Sequence, residues 1–213
     1  MATMRFYTYL VITACIAAAA LSAASVDGCV RIPPAGLTVS QPNQHIVVCP
    51  ENYTVSLPSN SSAAINVAAS NVTLSMRNVG VKPAGAKFEG WGVRAQSVDG
   101  LHLLGGRIAG FRAAVLVEGG AGHNVRNAVL SNNRLRGVTG TPADFLSVWP
   151  DFEGQLAVDS IGDGVVLINV SDSAVFNCSM SHQQNGIGCF GCTNVHIVGN
   201  NCSNNEGWGY VAQ

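Results

Sequence analysis

The stretch Asn194-Val-His-Ile-Val-Gly-Asn-Asn-Cys-Ser-Asn-Asn-Glu-Gly-Trp-Gly209 decides the fold. Five of its sixteen residues are Asn and three are Gly, yet Val195, Ile197 and Val198 alternate or pair as strand residues do. Asn and Gly are poor helix formers, and both accept left-handed backbone at tight turns. The reading is therefore short walls of Val and Ile joined by corners of Asn and Gly.

Working outward, the same pattern recurs. An apolar residue, then Ser or another small residue, then polar residues and Gly, begins at Cys202, Met180, Leu130 and Ile108, with looser copies at Val158 and Val79. Three of the five steps between these starts are 22 residues long, and the other two are 28 and 29. A second series lies five residues earlier: Leu74, Leu103, Val125, Val175 and Ile197, failing only at Glu153. A third recurs after the turn, as Gly90-Trp-Gly92, Gly186-Ile-Gly188 and Gly207-Trp-Gly209. Repeats of this length with apolar spacing of two exclude helical repeats, and the Leu pattern of leucine-rich repeats is missing. What remains is an all-β coil of three short parallel strands, each coil stacked on the last at the ordinary strand spacing of about 4.8 Å.

Composition narrows the class. The chain has 213 residues, 47% of them apolar and only 11% charged, with a formal charge of −1. That excludes a disordered chain, and no basic surface is available for general nucleic-acid binding. Residues 1–24 read as a secretory signal: Arg5, an apolar run from Phe6 to Leu21, and small residues before Ser25. Two other readings of this segment are a membrane anchor, for which the apolar run is short and lacks a basic flank, and lipidation at Ile12-Thr13-Ala14-Cys15. After signal cleavage no transmembrane anchor is expected, and the location is secreted or extracytoplasmic. In that compartment Cys29, Cys49, Cys178, Cys189, Cys192 and Cys202 are disulfide candidates. Cys29 and Cys49 are placed to pair with each other; the remaining four leave three connectivities open. Cys189-Phe-Gly-Cys192 has the inner spacing of a zinc site but no second close pair, so no metal is assigned to it. Asn52 and Asn60 head the sequons suited to glycosylation.

These repeats resemble the right-handed parallel β-helix of the pectate-lyase-like superfamily, over roughly residues 65–213. The resemblance implies a single-stranded solenoid of about six coils of ~22 residues. Residues 25–64 would then form an N-terminal cap and first strands. The last repeat stops at Gln213 without a polar cap, so the solenoid is expected to be part of a longer protein or to self-associate end to end. The superfamily hosts lyases, hydrolases, epimerases and non-enzymatic proteins, so fold alone does not set function.

Charge and insertions supply the candidate site. Six Arg fall between Arg94 and Arg136, and none follows; the acids Asp144, Asp151, Glu153, Asp159, Asp163 and Asp172 come after. Arg112 and Arg134 hold the same repeat position and should stack on neighbouring coils, where a uronate carboxylate would bridge them; solvation or pairing with the acidic coils is the plainer alternative. Asp159 and Asp163 precede Gly164 as catalytic aspartates of the superfamily do, although Gly-Asp-Gly is also an ordinary corner. Phe145, Trp149 and Phe152, beside Asp151 and Glu153, form an aromatic and acidic insertion suited to stacking on sugar rings, to acid–base work or to holding Ca²⁺. The resemblance brings no complete catalytic motif: Gly122-His123-Asn124 is only a fragment of a Gly-His-Gly. His102 and His196 precede inward residues and should face out. The expectation is a polysaccharide-binding or polysaccharide-processing protein, lyase- or hydrolase-like, with acidic polysaccharide as partner; the alternative is a non-catalytic structural or adhesive scaffold.

Overall fold

The computed structural model describes residues 25–26, 28–59, 62–85, 90–133 and 162–212. The signal and lipidation readings, and Arg134, Phe145, Trp149, Asp151, Phe152, Glu153 and Asp159, therefore lie outside the described residues. What is described is all-β and without helix. Strands β1 (Ser25–Val26) and β2 (Cys29–Val30) form a short antiparallel pair. The chain then passes repeatedly through three sheets in a fixed order. The first pass is β3 (Leu37–Val39), β4 (His45–Val47) and β5 (Asn52–Val55). The second is β6 (Ala63–Val67), β7 (Thr73–Ser75) and β8 (Gly80–Pro83). The third is β9 (Trp91–Gln96), β10 (His102–Leu104) and β11 (Arg107–Ile108). The fourth has β12 (Ala113–Glu118), β13 (Asn124–Arg126) and a single bridge at Val129. The fifth has β14 (Asp163–Ile168), β15 (Ser171–Phe176) and a bridge at Ser179; the sixth has β16 (Asn185–Phe190), β17 (Thr193–Val198) and a bridge at Asn201. β18 (Tyr210–Ala212) opens a seventh.

Strands of equal rank pair side by side and in parallel. β3, β6, β9, β12, β14, β16 and β18 make a seven-stranded sheet; β4, β7, β10, β13, β15 and β17 a six-stranded one; β5, β8 and β11 a three-stranded one. In-register stacking puts like residues in columns. Ile46, Leu74, Leu103, Val125, Val175 and Ile197 form one, Ile65, Val93, Val115, Val165 and Ile187 another. These side chains point inward, and those from Ile65 to Ile187 are almost wholly buried. Removing them from water is the main drive for the fold, at roughly 1.5–3 kcal/mol per large aliphatic side chain.

Corners are equally columnar. Gly105, Asn127, Asn177 and Gly199, each following the six-stranded sheet, all have positive φ, as do Gly110, Asn132, His182 and Asn204 one corner later. Ser97, Gly119, Asn169 and Gly191 repeat this after the seven-stranded sheet. Side-chain amides link layers as well: Asn71 Nδ2 donates to Asn43 Oδ1 at 3.0 Å, and Asn194 Nδ2 to Asp172 Oδ1 at 2.7 Å. The Asn and Gly of the opening stretch are thus corner residues. Cys29 and Cys49 are bonded, with an S–S distance of 2.03 Å, and fasten β2 beside β4. Cys178, Cys189, Cys192 and Cys202, candidates for further disulfides, are free thiols.

Three details of register correct the expected repeat. The expected pass at Val158 lies outside the described residues, and the described passes on either side of it pair directly. Val115 pairs directly with Val165, Val125 with Val175, and Val129 with Ser179, so the fifth pass lies straight on the fourth. Second, Ile108 stands on Val81, not on Val79. The second pass takes this corner with four residues, Met76 to Val79, where the third uses only Gly105 and Gly106. Third, Gly186 falls in the column of Gly92 and Gly209, not of Gly90 and Gly207.

The corner column can be tested at Asn127, which is exposed and has φ of 56°. Asn127→Ala should lower stability by about 1–2 kcal/mol, the cost of left-handed backbone for a residue with a Cβ and no compensating amide. Asn127→Gly should leave it nearly unchanged. Urea unfolding of the two variants beside the wild type distinguishes them.

Candidate functional site

The described arginines of the 94–136 segment, Arg94, Arg107, Arg112 and Arg126, do not form one band. Arg94 and Arg112 belong to the seven-stranded sheet, where both are engaged. Arg94 Nη2 donates to Gln96 Oε1 at 2.7 Å, and Gln96 Nε2 passes a bond on to Glu118 Oε2 at 2.7 Å. Arg112 is buried, its guanidinium carbon 5.4 Å from the centre of the Trp91 ring. Its stem and charge pack on an aromatic face, a structural use of arginine.

Asp163 lies one layer beyond Ala113 on the same sheet and is fully buried. Oδ1 accepts a hydrogen bond from Asn185 Nδ2 at 2.9 Å; Oδ2 has no partner among the described residues. Asn185 Oδ1 in turn accepts from the Trp208 amide at 2.9 Å. Gly188 closes over the carboxyl: a Cβ there would come within 2.5 Å of Asp163 Oδ2 and 2.8 Å of Phe190 Cε2. Burial pushes the carboxyl up to about 7, offset in part by the Asn185 bond. Asp163 is thus a sealed acid that folds most easily when neutral. A general acid must reach its substrate, and this one has no exposed surface.

His123 is a second buried titratable group. Its Nδ1 accepts the Leu101 amide at 3.3 Å, so Nε2 carries the proton and donates to Gly119 O at 3.1 Å. Burial holds its pKa below the usual range. Both ring nitrogens serve the backbone, which makes the Gly122-His123-Asn124 fragment a corner brace. His196 is exposed and His102 half-buried, facing outward as expected. Among the described residues, no cluster of three or more His, Cys, Asp or Glu is placed to hold a metal ion.

A groove lies elsewhere, on the corner between the six- and three-stranded sheets. Its volume is about 690 Å³, within the range of small-molecule sites. The cause is the uneven corner described above. Gly105 and Gly106, with φ of 75° and 94°, put no side chains into the wall of the third pass. The longer corner of the second pass stands beside them and carries Arg77 and Asn78 outward. Arg107, Asn52 and Asn127 complete the polar rim. Gly106 cannot be enlarged freely, since a Cβ there would press to 3.0 Å on the Met76 side chain.

The groove is cationic. Arg77 and Arg107 are exposed, and none of the lining residues is acidic. Arg126, also exposed, stands on the strand position next to Leu104. Glu51, which precedes Asn52, is engaged with Arg31 at 3.5 Å. Two guanidinium forks and three amide side chains around an open groove can take a carboxylate and adjacent hydroxyls. Arg107 was within reach of the sequence because it lies in the arginine-rich segment. Arg77, Asn52 and Asn78 were not: the 29-residue spacing hid the two extra corner residues that bring them together.

No protein-family model, curated protein or solved structure matches the chain.

The buried Asp163 gives a pH test. Its folded pKa is raised, so the stability it contributes is present below the unfolded value near 4 and is lost as pH rises through about 7. Asp163→Asn keeps the acceptor for Asn185 and cannot ionise. The variant should match the wild type near pH 3, gain on it steadily as pH rises from about 4 to about 7, and exceed it by roughly 2–4 kcal/mol at pH 9. His123, whose depressed pKa costs stability only as pH falls, acts equally on both and cancels. Denaturant midpoints across this range, parallel for the two proteins, would show that Asp163 stays ionised in the fold.

Proposed function

We propose that this chain is an exported right-handed parallel β-helix that binds acidic polysaccharide through the groove at Gly105-Gly106. The observation that carries the reading is the groove's lining: Arg77 and Arg107 with Asn52, Asn78 and Asn127, and no acid. Uronate carboxylates pair with guanidinium forks, and sugar hydroxyls with amides. A linear polymer suits a groove open along the stack. Handedness follows from the general rule for connections between parallel strands of one sheet, and the cyclic visit to three parallel sheets supports a coil. Export is supported by the apolar leader and by the Cys29–Cys49 disulfide.

The reading is of binding rather than turnover. Acid–base cleavage needs a carboxylate or equivalent group at the sugar. The described groove has none, and Asp163 and Arg112 are both committed inside the fold. The adhesive or structural alternative is thereby joined to the polysaccharide reading: a rigid stack that holds on to an anionic polymer.

Titration calorimetry with oligogalacturonate and with a neutral oligosaccharide of equal length tests this. Binding of the uronate alone is expected, weakening with added salt. Arg77→Ala and Arg107→Ala should each reduce affinity about tenfold, as expected for loss of one charge-assisted contact. Equal binding of both sugars, or unchanged affinity in the two variants, overturns it.

A further inference from the structure

The pair Cys189 and Cys192 is used by nothing described so far. Cys189 is the second-last residue of β16, on the inward side, and is 3% exposed. Phe190 and Gly191 turn the corner, Gly191 with φ of 61°. Cys192 follows, half-buried against the same core. The turn brings both thiols to the same part of the core, side by side. Tyr210 of β18 pairs with Ile187, two residues before Cys189, so it stands on the next layer beside the buried thiol. Cys192 Sγ lies 3.5 Å from the carbonyl oxygens of Leu167 and Phe190. The arrangement is one sheltered thiol and one accessible thiol, two residues apart across a tight turn.

We propose that Cys189 and Cys192 form a thiol–disulfide exchange site for low-molecular-weight disulfides. Cys192, as thiolate, attacks one sulfur of R–S–S–R; that S–S bond breaks and the first RS⁻ leaves. A mixed disulfide now joins Cys192 to R. Cys189 gives up its proton and attacks Cys192 Sγ, forming the Cys189–Cys192 bond and releasing the second RS⁻. Two protein thiols are oxidised, one small disulfide is reduced, and the two protons pass to the two released thiols. The division of roles has electrostatic support. The neighbouring Cys189 thiol lowers Cys192, whereas Cys192 and burial drive Cys189 upward. Cys178 and Cys202 behave oppositely to Cys192: burial pushes Cys178 up to about 11 and raises Cys202 also.

The test uses the full chain, reduced and then equilibrated in mixtures of reduced and oxidised glutathione. Differential alkylation with peptide mass mapping reads each cysteine. The expected result is loss of two thiols as a Cys189–Cys192 disulfide that reopens as reduced glutathione is raised. Cys189→Ser should halt at one glutathione bound to Cys192, and Cys192→Ser should abolish the reaction. A Cys178→Ser, Cys202→Ser double variant should behave as the wild type. Independently of any variant, Cys192 in the native protein should be alkylated at least about tenfold faster than Cys202, which has similar burial. Both cysteines reacting alike, oxidation falling first on Cys178 or Cys202, or a Cys189–Cys192 disulfide that resists reduction until the chain unfolds would each overturn the proposal.

Discussion

Each pass through this protein is held to the next by parallel backbone hydrogen bonding, and that ladder fixes which residues stand above one another. A column must therefore be uniform in kind. Where it points inward, each member has to be apolar, since one polar residue would lie unpaired between apolar neighbours. Where the backbone turns left-handed, each layer needs Gly, Asn or another residue that tolerates it. Core, corners and site all follow from the register. Even the exceptions obey it: Asn133 and Gln183 are buried, but they stack in adjacent layers and join through Nδ2 and Oε1 at 3.0 Å.

The groove is what the ladder produces when two adjacent corners differ in length. The backbone bonds on either side are kept, Leu104 with Ser75 and Arg107 with Gly80, so the two surplus residues have nowhere to go but outward. The glycines next to them leave the wall bare. A recess with a cationic rim thus arises without disturbing the core, because the change is confined to a turn already exposed to solvent. Function on a stack of this kind needs only an irregular corner.

Much of this was legible in the residues. The column through Leu74, Leu103, Val125, Val175 and Ile197 was readable because inward positions admit only a few residue types. The Cys29–Cys49 pairing was readable because the two lie close together in the chain, just before the repeats begin. The 50-residue step from the fourth pass to the fifth was not. A 28-residue step is also the true spacing between the first passes, as Asn43 and Asn71 show, so length cannot tell a wide coil from an interruption. The site was less legible still. Arg77 looks isolated in the chain and meets Arg107 only through a two-residue difference between corners. Arg112 and Asp163 had the right chemistry for a site, but their columns turn them into packing and a sealed carboxyl.

The jump from the fourth pass to the fifth has a consequence for how the chain assembles. Elsewhere in the second half, a strand finds its partner 22 residues away, as Asp163 finds Asn185; across the jump, His123 finds Ser173 at a separation of 50. Closing the longer loop costs about 0.7 kcal/mol more in chain entropy. That is small beside the columns it joins, which is why the stack tolerates the interruption. It is enough to order events: the layers before and after the jump have the shorter loops to close and can zip up first. The junction between Val115 and Val165 would then be the seam at which two preformed stacks meet in the transition state.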